Sequence, residues 1–419
     1  MKWWFQRQLY VQILVAIVVG GALGLAFGDR VSLIEPIGTI FIRLLKMLIV
    51  PLTFLTLISG ITKLDSIRSL RSIGGLALLY YAASSLVAGS VGVAVALLIR
   101  PGRGMTVGTL PEATGEIAKF DFIDQLVHWI PTNPVDAFAT TNMLQIIFFA
   151  IVVGITLLSM GSRGGRLVQL ADDGAELMLR VTQFVMKVAP YGILALVANL
   201  VASVGLDVLT HVGKFIVAQY LALVVLMTVV DPTVLRLLAR VNPLRFYRNV
   251  SPALLVAAST TSSAATLPIS MEVAEKNVGA PEKVWGFTLP LGATVNMNGM
   301  AACIGVIAVF ACNLYHVPVT LGGVLQFLFL GLALSFGTAG VKGAGIVMST
   351  ILLQTIGIPT VVIVPILASI WPVLDVGNTC CNVSGDLVGT TLVASRFGML
   401  DRDTFDGCSP RGERENTTP

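Results

Sequence analysis

The chain has 419 residues, 55% hydrophobic and 12% charged, with a formal net charge of +4 and a mean hydropathy of +0.86. Soluble domains carry about 25% charged residues, so the polar side chains needed to cover two or three soluble domains are missing. Those figures exclude a soluble enzyme and a disordered scaffold, and the small, dispersed positive excess excludes a nucleic-acid binder.

A bilayer core requires about 20 mostly apolar residues per helix. The runs at 9–27, 38–61, 74–99, 142–160, 178–204, 213–238 and 284–312 meet that requirement. They are continuously apolar, unlike the alternating segments of about ten residues in a membrane β-barrel, so an all-α membrane protein is predicted. The first run is too long for a signal segment and carries no small-residue cleavage site, so it is expected to be retained. Lys2 and Arg7 precede it; Lys63, Arg68 and Arg71 follow the second span, and Arg236, Arg240, Arg245 and Arg248 cluster at the end of the sixth. The connection at 101–141 instead carries Glu112, Glu116, Asp121, Asp124 and Asp136. The positive-inside rule then puts both termini in the cytoplasm, with a polar, disordered tail at 401–419.

Two hydrophobic stretches are interrupted in a related way. Residues 251–270 read SPALLVAASTTSSAATLPIS, and residues 329–353 read FLGLALSFGTAGVKGAGIVMSTILL. Each predicts a re-entrant hairpin whose tip amides and carbonyls face a ligand, and a paired interruption of this type points to a transporter site between inverted repeats. Two closely packed helices with small-residue interfaces are the alternative. The stretch NMNG at 296–299 breaks the span 284–312, and an unwound turn there would free carbonyl oxygens suited to an alkali cation.

Asp375, Thr379, Asn382 and Asp386 are spaced 4, 3 and 4 residues apart and share one face of the last helix. Two carboxylates inside an apolar span are expensive in lipid and mark a functional face. Asp231-Pro232, late in the sixth span, reads instead as a kink close to water. The five cysteines, with Cys380 and Cys381 adjacent, and the scattered His128, His211 and His316 form no zinc spacing, redox pair or triad. An intramembrane hydrolase would need a nucleophile beside a base, and the hairpin serines have none nearby in sequence. A channel lined by the polar stripe is the other rival.

Taken together, several segments resemble the dicarboxylate/amino acid:cation symporter family. They are KMLIVPLTFLTLISGI at 46–61, IPTNPVDAFA at 130–139, FFAIVVGI at 148–155, KVAPYGILALVA at 187–198, SSAATLP at 262–268, LPLGATVNMNG at 289–299, SFGTAGVKGAG at 335–345 and NTCCNVSGD at 378–386. The resemblance implies eight transmembrane helices plus two re-entrant hairpins, built from inverted repeats and working as an elevator in a homotrimer. Scaffold helices one and two would occupy 1–73. Transport helix three would occupy 74–100, and scaffold helices four and five 101–205. The rest of the transport domain would occupy 206–400, with helix six, hairpin one at 243–275, helix seven, hairpin two at 320–356 and helix eight.

By position, the resemblance assigns Asp375 to a substrate ammonium and Thr379 and Asn382 to its α-carboxylate. Ser263, Val341 and Gly345 add hairpin contacts. It implies sodium at Gly292, Asn296, Asn382 and Asp386, a second sodium at Thr294, Ser335 and Thr338, and most of a third site at Tyr81, Ser84, Ser85 and Asn296. Three positions depart from members that carry acidic substrates: the arginine expected in the last helix is Asn378, an aspartate earlier on that helix is Trp371, and a threonine is Met300. An unpaired substrate carboxylate buried there is costly, so a neutral amino acid is expected. The alternative is an acidic amino acid or C4-dicarboxylate held by Lys342, a residue whose flexible, readily solvated ammonium otherwise faces solvent. Asn298 stands where the family has a carboxylate of the third site, so reduced sodium coupling, or a shift toward protons, is expected.

Overall fold

The computed structural model describes residues 9–62, 73–105, 127, 130–140, 142–204, 207–336 and 343–407. The described regular structure is helical throughout. The expected site positions Val341 and Thr338, the alternative substrate ligand Lys342, and the loop basic residues Lys63, Arg68 and Arg71 lie outside the described residues.

The principal helices are α1 (Leu9–Phe27), α2 (Glu35–Thr62), α3 (Gly75–Ile99), α4 (Met143–Met160), α5 (Gly165–Val204) and α6 (Asp207–Val225). After them come α7 (Pro243–Thr260), α8 (Ser263–Val273), α9 (Glu282–Val295), α10 (Asn298–Leu314), α11 (Leu321–Phe336), α12 (Ala344–Thr355) and α13 (Thr360–Arg396). Five helical stretches among the described residues are long and apolar enough to cross a membrane: 75–99, 148–178, 210–239, 282–314 and 360–396. The spans expected at 142–160 and 178–204 are parts of α4 and of the 40-residue α5. Large apolar side chains face outward, among them Val18, Leu79, Leu98 and Val217; lipid is the solvent in which such faces carry no penalty.

The helices sort into two packed groups. In one, α5 packs against α1 and α2, and α4 packs against α2; in the other, α3, α6 and α7 to α13 pack together, with α10 against α3 and α13 as a central post. Contacts of α5 with α13, and of α2 with α9 and α12, join the groups. The segment 282–314 is the most enclosed span, and every residue from Ala301 to Cys312 is fully buried. Close approach there depends on glycine: a Cβ at Gly92 would collide with the backbone of Ala302, which is why α3 and α10 can touch along their main chains.

The interruptions have specific chemistry. Helix α7 ends at Thr261, whose φ of 49° puts it in the left-handed region. Ser262 then caps α8, its Oγ accepting from the Ala265 N–H at 3.2 Å. Helix α9 ends at Asn296 and α10 starts at Asn298, so the break falls on NMNG. Past Val225, α6 loosens into π turns at Leu226–Val230 and Val234–Ala239 around Asp231-Pro232; proline removes a backbone donor and forces such a distortion. Asp231 itself corrects the expectation of a kink close to water. It is 5% exposed and accepts from the Ser384 hydroxyl at 2.8 Å and the Tyr247 hydroxyl at 3.2 Å.

Candidate functional site

The site forms where the α9–α10 break meets the last third of α13. Ending α9 at Val295 leaves Asn296 and Met297 outside regular helix, and α3 closes the opposite side. Asn296 is fully buried. Its Nδ2 donates to Asp386 Oδ1 at 2.9 Å, and its Oδ1 accepts from Ser84 Oγ at 3.1 Å. Gly292 lets the carboxylate come this close, since a Cβ there would sit 2.5 Å from Asp386 Oδ1 and 3.0 Å from the Tyr81 hydroxyl. Tyr81 is held by donating to the Thr288 carbonyl at 2.8 Å. Asn298 accepts from Ser85 Oγ at 3.4 Å, and a Cβ on Gly385 would lie 2.5 Å from Asn298 Nδ2.

Thus Gly292, Asn296, Asp386, Tyr81, Ser84, Ser85 and Asn298, placed by resemblance in two neighbouring cation sites, converge on one buried cluster. Asp386 has no cationic side chain paired with it among the described residues, and it is 4% exposed. A buried carboxylate without a counter-charge is costly, and the surrounding oxygens are the hard ligands that suit sodium. Asn382 belongs to the same face but is turned toward α10: its Oδ1 accepts from the Gly299 N–H at 2.8 Å, and its Nδ2 points at Met297 Sδ at 3.2 Å. Of the second set, Thr294 donates to the Leu291 carbonyl at 2.9 Å and Ser335 to the Leu332 carbonyl at 2.8 Å. Each hydroxyl is spent on its own helix, and no hydrogen bond joins the two among the described residues.

The expected substrate face lies one to three turns earlier on α13. Thr379 and Asn378 are buried and Asp375 is half-buried. Met300 and Trp371 are buried together at the start of α12, where a Cβ on Gly345 would strike both. Ser263 is buried in the first turn of α8, which also packs on α13. One buried polar residue was not singled out by sequence: Gln219, in the middle of α6, donates from Nε2 to Asn378 Oδ1 at 2.7 Å and to the Gly299 carbonyl at 3.2 Å. The available signal was a lone amide in an apolar span.

The model of the sodium:dicarboxylate symporter family matches residues 9–396. The chain belongs to that family. It is 32% identical over 407 residues to the C4-dicarboxylate transport protein of Geobacter sp. (strain M21), covering 95% of this chain and 92% of that one. It is 30% identical over 408 residues to C4-dicarboxylate transport protein 2 of Pseudomonas aeruginosa (strain UCBPP-PA14), covering 96% and 93%. A third relative, the C4-dicarboxylate transport protein of Janthinobacterium sp. (strain Marseille), is 29% identical over 420 residues. The chain is therefore a multi-pass membrane transporter of a symporter family and not an enzyme.

Proposed function

We propose that the chain is a cation-coupled symporter for a C4-dicarboxylate. The observation that carries this reading is the similarity, over nearly the whole chain, to proteins named for C4-dicarboxylate transport. It turns away from the neutral amino acid expected from the loss of arginine at Asn378. Physical support comes from helix starts, whose free N–H groups and positive dipole ends favour anions. The first turn of α10 lies beside Asn382, whose Oδ1 takes the Gly299 N–H, so the support there is the dipole end rather than that donor; the first turn of α12 lies against Trp371 and Met300. Thr379, Asn382, Ser263 and Gly345 are assigned to one substrate carboxylate, with Val341 added by the resemblance alone.

In the same reading, one sodium binds at Asp386 with Asn296, Gly292 and Asn382. A second ion uses Thr294, Ser335 and Thr338 when hairpin two closes, and the third set at Tyr81, Ser84, Ser85 and Asn298 is weakened by the missing carboxylate. The packed group of α1, α2, α4 and α5 serves as the scaffold of a homotrimer in the inner membrane, both termini cytoplasmic. The group containing α13 moves as the elevator, with the pairs α7–α8 and α11–α12 as re-entrant hairpins.

A second reading, a neutral amino acid, is favoured by one specific observation. No arginine or lysine hydrogen-bonds to Asn378 among the described residues, while Asp375 stands one turn before it and its carboxylate suits an ammonium. Uptake into proteoliposomes under an inward sodium gradient separates the two. Labelled succinate accumulating ahead of alanine and serine supports the dicarboxylate; the reverse order supports the amino acid.

A further inference from the structure

The orientation of two buried amides is fixed by one backbone carbonyl. The Gly299 carbonyl can only accept, so the group of Gln219 facing it is the NH2. That same Nε2 faces Asn378 at 2.7 Å, so the atom of Asn378 turned toward it is Oδ1. Two atoms are left over. Gln219 Oε1, an acceptor, and Asn378 Nδ2, a donor, are both buried without a hydrogen-bond partner in the protein. The Cys303 thiol beside Asn378 is only a weak acceptor. Orphaned buried polar groups are rare and costly to leave unmade, and these two occur on neighbouring side chains whose residues are 0% and 2% exposed.

We propose that Gln219 and Asn378 form an amide clamp that selects an uncharged substrate end able both to accept and to donate a hydrogen bond: a carboxamide, or a carboxyl group that keeps its proton. The proposal rests on the reading of this α13 face as the substrate face. A carboxamide oxygen accepts from Asn378 Nδ2 while its N–H donates to Gln219 Oε1. An undissociated carboxyl does the same with its C=O and O–H. An ionised carboxylate satisfies Asn378 but places a negative oxygen against Gln219 Oε1, and it gains nothing from Asp375 on the preceding turn. A C4-dicarboxylate would accordingly bind here as its monoanion, with the charged end toward Thr379 and Asn382. Gln219 is a specificity-determining residue in this scheme, acting both directly and by holding the Asn378 amide in place.

The test is competition in proteoliposomes holding the full-length protein, with succinate against succinamate and L-aspartate against L-asparagine. At about pH 8, where the acids are fully ionised, the amide of each pair is expected to bind roughly tenfold tighter, because a site built for a donor rejects the analogue lacking it. The gap should shrink as pH falls and succinate gains a proton. Gln219→Leu should bring the ratio to within about twofold while the amide loses affinity. Equal or tighter binding of the ionised acids by the unaltered protein overturns the clamp, and that measurement needs no variant. An unchanged ratio in a folded Gln219→Leu protein also overturns it. Failure of both C4 compounds to bind speaks against the dicarboxylate reading; the clamp is then judged on asparagine against aspartate alone.

Discussion

Asn296 Nδ2 donates to Asp386 Oδ1 at 2.9 Å, across 90 residues of sequence. The bond ties the break between α9 and α10 to the last third of the longest helix of its group, and it orients Asn296 so that its own oxygen meets Ser84. A carboxylate, an amide oxygen and a hydroxyl thus sit together with no cationic side chain of the described residues among them. A monovalent cation bound there would complete the charge balance.

Asp386→Asn tests that balance. The amide can turn its oxygen to Asn296 and keep the hydrogen bond, so folding should survive while the negative charge is lost. Sodium activation of uptake is expected to fall by at least about tenfold, as for removal of one partner of a buried charge pair. A full sodium response in the variant would remove Asp386 from the cation site.

Gly292→Ala probes the same place from the other side. The new methyl would fall 2.5 Å from Asp386 Oδ1, and overpacking of this kind typically costs about 1–3 kcal/mol. Both the melting temperature in detergent and the apparent sodium affinity should drop. An unaltered sodium affinity would show that the carboxylate can move away without consequence.

Asn298→Asp restores a carboxylate beside Ser85, 3.4 Å from its hydroxyl. Sodium dependence should become steeper, because the added charge offers a further cation a counter-ion. The check is the slope of uptake against sodium concentration, compared with the unaltered protein. A slope that stays the same would mean that the amide at 298 already serves as well as a carboxylate.

Ser384→Ala removes one of the two hydroxyls on Asp231 Oδ2, the other being Tyr247. Losing a hydrogen bond to a buried charged or polar group costs about 1–3 kcal/mol, so thermal stability should fall. Threonine at the same position, which keeps the hydroxyl, should recover part of the loss.

Much of this architecture was legible in the residues. Apolar runs marked helices, among them the membrane-length stretches 75–99, 210–239 and 282–314; NMNG marked the helix break, and the 4-3-4 spacing put Asp375, Thr379, Asn382 and Asp386 on one face. These are local signals, set by periodicity and by where the backbone loses helical partners. The misreadings were long-range. Asp231 looked like a kink near water because its partner Ser384 stands 153 residues away. Gln219 was passed over because a single amide in an apolar span has no meaning until α6 is laid against Asn378, 159 residues on. The substrate expectation leaned on the charge missing at Asn378, and a missing charge does not say what replaces it. What surrounds that position is a property of packing, which spacing along the sequence does not carry.

The most direct measurement is the initial rate of labelled succinate uptake into proteoliposomes with and without an inward sodium gradient, using the unaltered protein and Asp386→Asn. Sodium-driven succinate accumulation that disappears in Asp386→Asn is the predicted result. Succinate uptake indifferent to sodium in both proteins, or no succinate uptake beside brisk sodium-driven uptake of alanine, would contradict it.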